Sequence, residues 1–345
     1  MRMKKLLGVV VAAVVLRSGA ASAYEADERQ RPDQNWTAEQ SHWFHHAGQG
    51  TFILPYHWFL ALERPTLRLF GTVPLFREED NLARFGFLPS PTDPRYNPDG
   101  LPIGFAKDRV RDPDTGDEVE VVGLTCAACH TSEIQYRGEK ILVDGGSAMI
   151  DVTAFQRELG LAVGYTAKVP FRFGRFAARV LGDGATAEAE AELRKRFDAV
   201  LASGVGEKRV AEARRLYEVP GGFTRTDALG RIGNLVFGLQ LDEENLRVAD
   251  APVNYPPLWD ASWFDWVQYN ASIQQPMARN IGEALGVRAR IDLKGRDEEL
   301  YRSTVNVRNL YEMEKLLSGP EPFEGLRAPK WPEDILGEID RQKAA

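Results

Sequence analysis

The sequence predicts a mainly α-helical fold that also carries short β hairpins. From Met149 onward, apolar residues recur three and four positions apart, as in ATAEAEAELRKRFDAVLAS and GEKRVAEARRLYEV. Upstream of Met149, alternating apolar and polar runs flank turn-forming residues at two places, and each place predicts a two-stranded hairpin. The 345 residues are 43% hydrophobic, which is sufficient for a large buried core.

The first 23 residues have the pattern of a secretory signal peptide. Basic residues at positions 2, 4 and 5 precede an apolar run at residues 6–16, and Ala21, Ser22 and Ala23 form a small-residue cleavage site. A membrane-spanning helix needs about 20 apolar residues, so this shorter run predicts cleavage after Ala23 and export to the periplasm. We expect no membrane span in the mature chain.

The predicted mature chain is acidic. The full sequence has a formal net charge of -7, and residues 1–23 carry four basic and no acidic side chains, so their removal gives -11. A surface of this charge repels nucleic acids and anionic membranes. We therefore expect neither as a partner.

The remaining elements follow from local patterns. Residues 24–40 predict a polar lead-in, and a core-forming segment follows in SHWFHHAGQGTFILPYHWFLALE. Hairpins are predicted in FAKDRVRDPDTGDEVEVVGLTC and in SEIQYRGEKILVDGG. Later helices are predicted in DALGRIGNLVFGLQL, with Thr226 or Asp227 as its cap, and near residues 275–285 and 304–317. Together they predict one domain over residues 24–345 and suggest a boundary within it near residue 150.

The motif that carries chemistry is CAACH at residues 126–130. Its two cysteines, Cys126 and Cys129, lie three residues apart, and His130 follows directly. In C-x-x-C-H, both thiols can attach to the vinyl groups of one haem while the histidine ligates its iron. The motif predicts one covalent haem c, with His130 as the metal ligand, and the fold class becomes a cytochrome c-like haem domain with short β hairpins and extra helices.

Other uses of two cysteines stay open at this point. A thioredoxin-like redox pair also has C-x-x-C spacing but needs a βαβ setting. A structural disulfide is compatible with export, and zinc would need further ligands. The adjacent histidine favours haem over all three.

The side of the iron opposite His130 decides the function. A protein ligand there favours electron transfer, whereas an open position permits peroxide or dioxygen chemistry. A methionine usually packs in a core and a buried histidine usually serves a structural hydrogen bond, so each candidate has an ordinary alternative. The candidate ligands are Met149, Met277, Met313, His42, His45, His46 and His57.

A distal pocket is predicted within residues 227–270. Arg231 and Asn234 lie three residues apart on a predicted helix, so they share a face and can direct donors toward a ligand of the iron. A surface arginine and a packing asparagine are the alternative. The nearby aromatic cluster, which can wall a porphyrin or form ordinary core, consists of Tyr255, Trp259, Trp263, Phe264 and Trp266. From both groups we select Arg231, Asn234, Phe264 and Trp266 as distal-pocket candidates.

Several segments in combination resemble a known family. They are QGTFILPYHWFLALE, RFGFLPSP, NPDGLPIGFAKD, GLTCAACHTSEIQYRG with VDGG, PPLWDASWFDWVQYN and PMARNIGEALGV. These segments resemble the cytochrome c peroxidase-related di-haem proteins grouped with rubber oxygenase RoxA and MauG, and the resemblance covers nearly all of the predicted mature chain.

The resemblance implies a two-haem plan in which peroxide or dioxygen reacts at one haem and electrons pass through the other. The haem at Cys126, Cys129 and His130 corresponds to the first of the two. RAPKWPEDILGEIDRQKAA resembles the segment that leads into the second haem domain, yet these 345 residues hold one C-x-x-C-H. The expected partners are therefore an electron-donor or electron-acceptor redox protein, or a second haem domain or subunit.

The resulting prediction is a periplasmic haem oxidoreductase with peroxidase-like or oxygenase-like chemistry. The alternative is a non-enzymatic electron-transfer cytochrome in which a methionine or histidine closes the sixth position of the iron.

Overall fold

The structure is a computed structural model, which describes residues 28–67, 72–112, 116–268, 270–295 and 300–344. The predicted signal peptide lies outside these residues. Among the helices that the structure describes, none is long and apolar enough to cross a membrane.

Helices occur throughout the described chain. Asp227 begins one of them by accepting a hydrogen bond from the Gly230 amide, as its position predicts. The helices are α1 (Ala38–His46), α2 (Tyr56–Ala61), α3 (Glu79–Ala83), α4 (Cys126–Cys129), α5 (Val152–Lys168), α6 (Arg172–Leu181), α7 (Ala187–Ala213), α8 (Ala228–Gly233), α9 (Pro276–Gly286), α10 (Val307–Ser318), α11 (Glu333–Leu336) and α12 (Arg341–Ala344). A π-helical turn, Asn234–Leu239, extends α8.

In the described part of the chain, three antiparallel sheets accompany these helices. The largest has the strand order β1-β3-β2, and the others pair β4 with β5 and β6 with β7. The two hairpins expected from the sequence are the pairs β2-β3 and β4-β5, and the second turns at Arg137 and Gly138, which both have positive φ. The strands are β1 (Leu54–Pro55), β2 (Phe105–Arg111), β3 (Glu118–Leu124), β4 (Thr131–Tyr136), β5 (Glu139–Asp144), β6 (Arg225–Thr226) and β7 (Val253–Asn254).

The prediction of a mainly α, cytochrome c-like fold was wrong. Helices make up 43% and strands 14% of the chain, in several small sheets, so the fold is mixed α and β. The physical reason is that the hairpins are integral parts of the fold and not additions to a helical domain. In the structure β1 adds a third strand to the first hairpin. Along the chain, the first hairpin directly precedes α4 and the second directly follows it.

The largest hydrophobic cluster has an aromatic centre. Phe155 of α5 is fully buried and its ring packs against those of Phe76, Phe85, Phe87 and Phe105, with centroids 5.1–6.1 Å apart. Residues before and after position 150, where a boundary was suggested, share this cluster. Ala128 of α4 belongs to it as well, so the aromatic cluster packs against the helical turn that the CAACH motif forms.

Three histidines fix α1 inside the protein. The two ring nitrogens of His46 bind the Phe105 carbonyl and the Ser90 hydroxyl, each at 2.7 Å. His45 donates from Nε2 to Asp144 at 2.6 Å, and His42 lies 3.9 Å from Asp93. All three are buried, and polar partners from other segments of the chain lie next to each ring.

Phe155→Ala should lower the free energy of unfolding by about 3–5 kcal/mol, because it removes a fully buried ring from a packed aromatic cluster. Phe223, which is 50% exposed, provides the control, and Phe223→Ala should change stability by less than about 1 kcal/mol. Urea denaturation followed by tryptophan fluorescence measures both. Equal losses in the two variants would contradict this account of the core.

Stability should fall as the pH decreases below about 6.5. Burial lowers the pKa of His46 from 6.5 to about 3, and it lowers the pKa of His42 to about 4. The unfolded chain therefore binds protons below pH 6.5 that the folded chain excludes. Between pH 6.5 and pH 5, each such ring removes on the order of 2 kcal/mol of stability.

His46→Gln keeps hydrogen-bonding capacity at this position without titrating, so its stability should depend less on pH than that of the wild type. Exposed His57 serves as the control, and His57→Gln should retain the wild-type pH dependence. Unfolding curves at pH 7 and pH 5 test this, and an unchanged pH dependence in His46→Gln would refute the assignment.

Candidate functional site

The CAACH motif forms a single helical turn. Cys126 begins α4 and Cys129 ends it, and the His130 amide donates to the Cys126 carbonyl at 3.0 Å. The two thiols are free rather than bridged, and both side chains are partly exposed. The motif therefore presents two sulfur atoms one turn apart, followed directly by an imidazole.

Gly104 permits the close approach of β2 to this turn. It has a φ of +89°, and a Cβ at this position would lie 2.3 Å from the Ala128 Cα. Its carbonyl accepts a hydrogen bond from the Thr125 amide at 2.8 Å, and its amide donates to the His45 carbonyl at 3.1 Å. A larger residue would separate α4 from both the sheet and α1.

The second hairpin holds the other end of the turn. Thr131 begins β4 directly after His130 and pairs with Asp144 at the end of β5. The Gly145 amide then donates to the His130 carbonyl at 2.8 Å, and the Ala148 amide donates to the Cys129 carbonyl at 3.0 Å. The backbone of the motif is thus fixed from both directions.

The His130 ring has one nitrogen engaged and one available. Nδ1 lies 2.8 Å from the Pro256 carbonyl oxygen, which can only accept, so Nδ1 carries the hydrogen and Nε2 carries the lone pair. Among the described residues, no hydrogen bond reaches Nε2. Burial lowers the pKa of His130 to about 4, and nearby Arg279 lowers it further despite the Pro256 contact. The ring is therefore neutral at physiological pH.

Asp144 connects the motif to two distant segments. Its carboxylate accepts hydrogen bonds from Ser41 at 2.5 Å and from His45 at 2.6 Å. Its backbone carbonyl accepts from the side chains of Gln34 and Trp259, each at 2.8 Å. Burial raises the pKa of Asp144, but the His45 ring and the Ser41 hydroxyl more than offset this and hold the pKa below its usual value.

Gln49 links Cys126 to a buried methionine. Its amide nitrogen lies 3.1 Å from the Cys126 Sγ and 3.3 Å from the Met313 Sδ. Met313 is 1% exposed. Of the three methionines predicted as ligands, Met313 has this link to the motif. Met149 is 56% exposed, and Met277, in the first turn of α9, packs against the cluster that contains Val236 and Leu310.

A buried charged cluster of α9 and α10 lies near the same sulfur atoms. Glu314 accepts hydrogen bonds from Arg279 at 2.9 Å and from Asn280 at 2.7 Å. Glu283, one turn beyond Arg279, accepts from Gln268 at 3.0 Å. Burial raises the pKa of Glu283, and the charge of Glu314 raises it further against the opposing effect of Arg279.

This cluster influences both cysteines. Burial raises the pKa of each thiol to about 12, and Glu283 contributes to the rise at both positions. Arg279, Glu283 and Glu314 were not among the residues predicted from sequence. For Arg279 and Glu283 a signal was available in PMARNIGEALG, where charged residues interrupt a helix whose other positions are mostly apolar or small.

Arg231 and Asn234, two distal-pocket candidates, make their described contacts away from the motif. Arg231 lies over the Tyr217 ring at 4.5 Å and donates to Thr153 at 3.2 Å. Asn234 is buried, and its amide group binds the backbone N–H and carbonyl of Arg247.

The aromatic candidates Phe264 and Trp266 are 58% and 53% exposed. In contrast, Tyr255 of the same aromatic cluster is buried, and its ring lies 6.5 Å from that of His130. A distal role stays a prediction for all four selected residues.

Within the described residues, no group of three or more histidine, cysteine, aspartate or glutamate side chains is arranged to hold a metal ion. A closed zinc site needs four such ligands, so zinc finds no support there. The donor set of the CAACH turn is instead two thiols and one imidazole nitrogen.

The uncharacterized protein y4iJ of Sinorhizobium fredii (strain NBRC 101917 / NGR234) is 47% identical to this chain over 334 residues. The match covers 90% of this chain and 54% of y4iJ, so the chain spans about half the length of this curated relative. No family model matches the chain, and no solved structure matches it.

Proposed function

We propose that this chain is an exported, periplasmic c-type haem protein. One haem c would be attached to Cys126 and Cys129, and His130 would ligate the iron. The observation that carries the proposal is the orientation of His130, whose Nδ1 hydrogen points to the Pro256 carbonyl at 2.8 Å. Histidine ligands of metals are commonly held in this way by a hydrogen bond from the other ring nitrogen.

The donor set fits a covalent haem better than the alternatives. Both sulfur atoms lie on one turn and are unbridged, as thioether attachment to a single porphyrin edge requires. Reactive redox cysteines have lowered thiol pKa values, whereas burial raises the pKa of Cys126 and of Cys129 to about 12. The surroundings therefore disfavour a dithiol that exchanges with disulfides.

The haem would supply one-electron chemistry and reactions with peroxide or dioxygen at its iron. His130 would present a neutral imidazole in a fixed orientation, and its hydrogen bond to Pro256 increases the electron donation of Nε2. Glu283 would contribute a carboxyl group whose pKa is raised by burial. Arg279, oriented by Glu314 and Asn280, would add positive charge.

Coexpression with a haem-attachment system should yield a chain that keeps its haem after denaturation. Cys126→Ala combined with Cys129→Ala should release the haem under the same conditions, because no thioether can form. His130→Ala should change the absorption spectrum of the ferrous protein, whereas His57→Ala, which changes an exposed histidine, should leave the spectrum unchanged. Intact mass and pyridine haemochrome spectra measure covalent attachment, and absorption spectra of the native ferrous proteins measure the two histidine variants. A wild-type chain without covalent haem would refute the proposal.

The finer proposal is a peroxidase-like or oxygenase-like oxidoreductase related to the di-haem cytochrome c peroxidase group. Reduction of one peroxide to two waters consumes two electrons and two protons. The electrons would come from a redox protein, or from a second haem domain or subunit. Glu283, whose charge acts on both cysteines and whose pKa is raised by burial, is a candidate to supply a proton.

Glu283→Gln should decrease the rate at which peroxide changes the ferric haem spectrum by about a hundredfold, within the range typical of lost proton transfer. Exposed Glu312, on α10, provides the control, and Glu312→Gln should react at the wild-type rate. Stopped-flow absorption measures this step. Equal rates in the wild type and Glu283→Gln would remove Glu283 from the mechanism without affecting the haem assignment.

The second candidate function is electron transfer without catalysis, and Met313 is the observation that favours it. This buried thioether shares the Gln49 amide with Cys126 and is therefore a candidate for the sixth position. This function predicts a low-spin ferric spectrum of the wild type that does not change when cyanide is added. It also predicts that the ferric spectrum of Met313→Leu is high-spin. If the wild type and Met313→Leu both have a high-spin ferric spectrum that changes on addition of cyanide, the result supports the oxidoreductase proposal instead.

A further inference from the structure

A separate pocket lies between α8 with its π-helical turn and the 3-10 segment Glu243–Asn245. It encloses about 480 Å³ and opens to solvent. Small-molecule sites typically measure about 300–1,000 Å³, so the pocket is large enough for a small ligand. No residue of the CAACH turn lines it.

The helical wall of this pocket is apolar. Leu229, Gly233 and Phe237 line it and follow one another at intervals of four residues, so they share one face of the helix. Ile232 and Val236, on the other side of the same segment, pack against Ala284 and Leu310 in a hydrophobic cluster. The segment therefore buries one apolar face and presents a second one to the pocket, where Phe237 remains 53% exposed.

The opposite wall carries a fixed cation. Arg247 lines the pocket, and its Nη1 donates to the carbonyls of Glu244 at 2.7 Å and Leu246 at 2.8 Å. Asn234 holds the Arg247 backbone through two hydrogen bonds of 2.7 and 2.8 Å. Within the described chain, no carboxylate forms an ion pair with Arg247, and Nε and Nη2 have no hydrogen-bond partner. The residues lining the pocket include no acidic side chain.

We infer that this pocket binds a small apolar monocarboxylate, whose hydrocarbon part contacts Leu229 and Phe237 and whose carboxylate pairs with Arg247. The apolar wall provides affinity through burial of hydrocarbon surface. The guanidinium donors provide selectivity for an anion, since charge-assisted hydrogen bonds are the strong ones. This inference is independent of the proposed haem and does not require it.

Gly233 provides a direct way to fill the pocket. Its backbone is helical, and a Cβ at this position would meet no atom within 4 Å. Gly233→Leu should therefore fold and block the pocket, since leucine also favours a helix more than glycine does. Gly204 of α7 has equally open surroundings, so Gly204→Leu is a matched control elsewhere on the protein.

Calorimetric titration of the full chain with octanoate and with octanamide tests the inference. The wild type and Gly204→Leu should bind octanoate about tenfold more tightly than octanamide, the difference expected for a charge-assisted contact. Gly233→Leu should weaken both ligands by at least about tenfold because it occupies their volume. Arg247→Gln should reduce the affinity for octanoate to that for octanamide, and circular dichroism should confirm that each variant is folded.

Three results would overturn the inference. They are the absence of octanoate binding to the wild type at millimolar concentration, unchanged binding to folded Gly233→Leu, and equal affinity of the wild type for octanoate and octanamide. Because the readout is the heat of binding, these results do not depend on whether the chain carries haem.

Discussion

The hydrogen bonds of Asp144 hold the segments that surround the CAACH turn. Asp144 ends β5 opposite Thr131, the residue that follows His130, and its carboxylate accepts hydrogen bonds from both Ser41 and His45 of α1. Its backbone carbonyl also binds the indole of Trp259, which lies three residues after Pro256. One buried residue therefore aligns α1, the second hairpin and the segment that orients His130. A carboxylate in this position is stable because several donors replace the water it loses.

The remaining support for the turn is steric. On one side, Gly104 allows β2 to approach the Ala128 backbone, and the aromatic cluster around Phe155 packs behind it. On the other side, the charged cluster of α9 and α10 lies near the sulfur atoms of Cys126 and Cys129. The turn is thus placed between an apolar layer and a polar one. The motif therefore has an apolar environment at Ala128 and a charged one at its two sulfur atoms.

Much of this organisation was accessible from sequence, because its signals are local. Turn residues and the alternation of apolar and polar residues predicted both hairpins, and helical periodicity predicted α7. Two separate periodic stretches indicated this region, but it forms one continuous helix. Glycines at positions 204 and 206 did not break it, since each costs only about 1 kcal/mol in a long helix. The overall fold class was wrong because strand pairing across long separations, such as Leu54 with Val122, has no local signature. At the candidate site, sequence alone selects the three motif residues. Gln49, Arg279 and Glu283 could not be assigned to the site, because only tertiary packing brings them near the motif.

The Arg279–Glu314 pair places a charged residue of α9 in a nearly buried position, which the stability of the protein does not require. Both side chains are nearly buried, and burying two charges costs desolvation energy that their attraction often only balances. Apolar residues of similar size would then hold α9 against α10 at least as well, as they do through Leu285 and Leu310 in the adjacent cluster. Stability is therefore a weak reason for the pair. The pair instead holds the Arg279 guanidinium in one orientation, from which its charge adds to the effect of burial and lowers the pKa of His130.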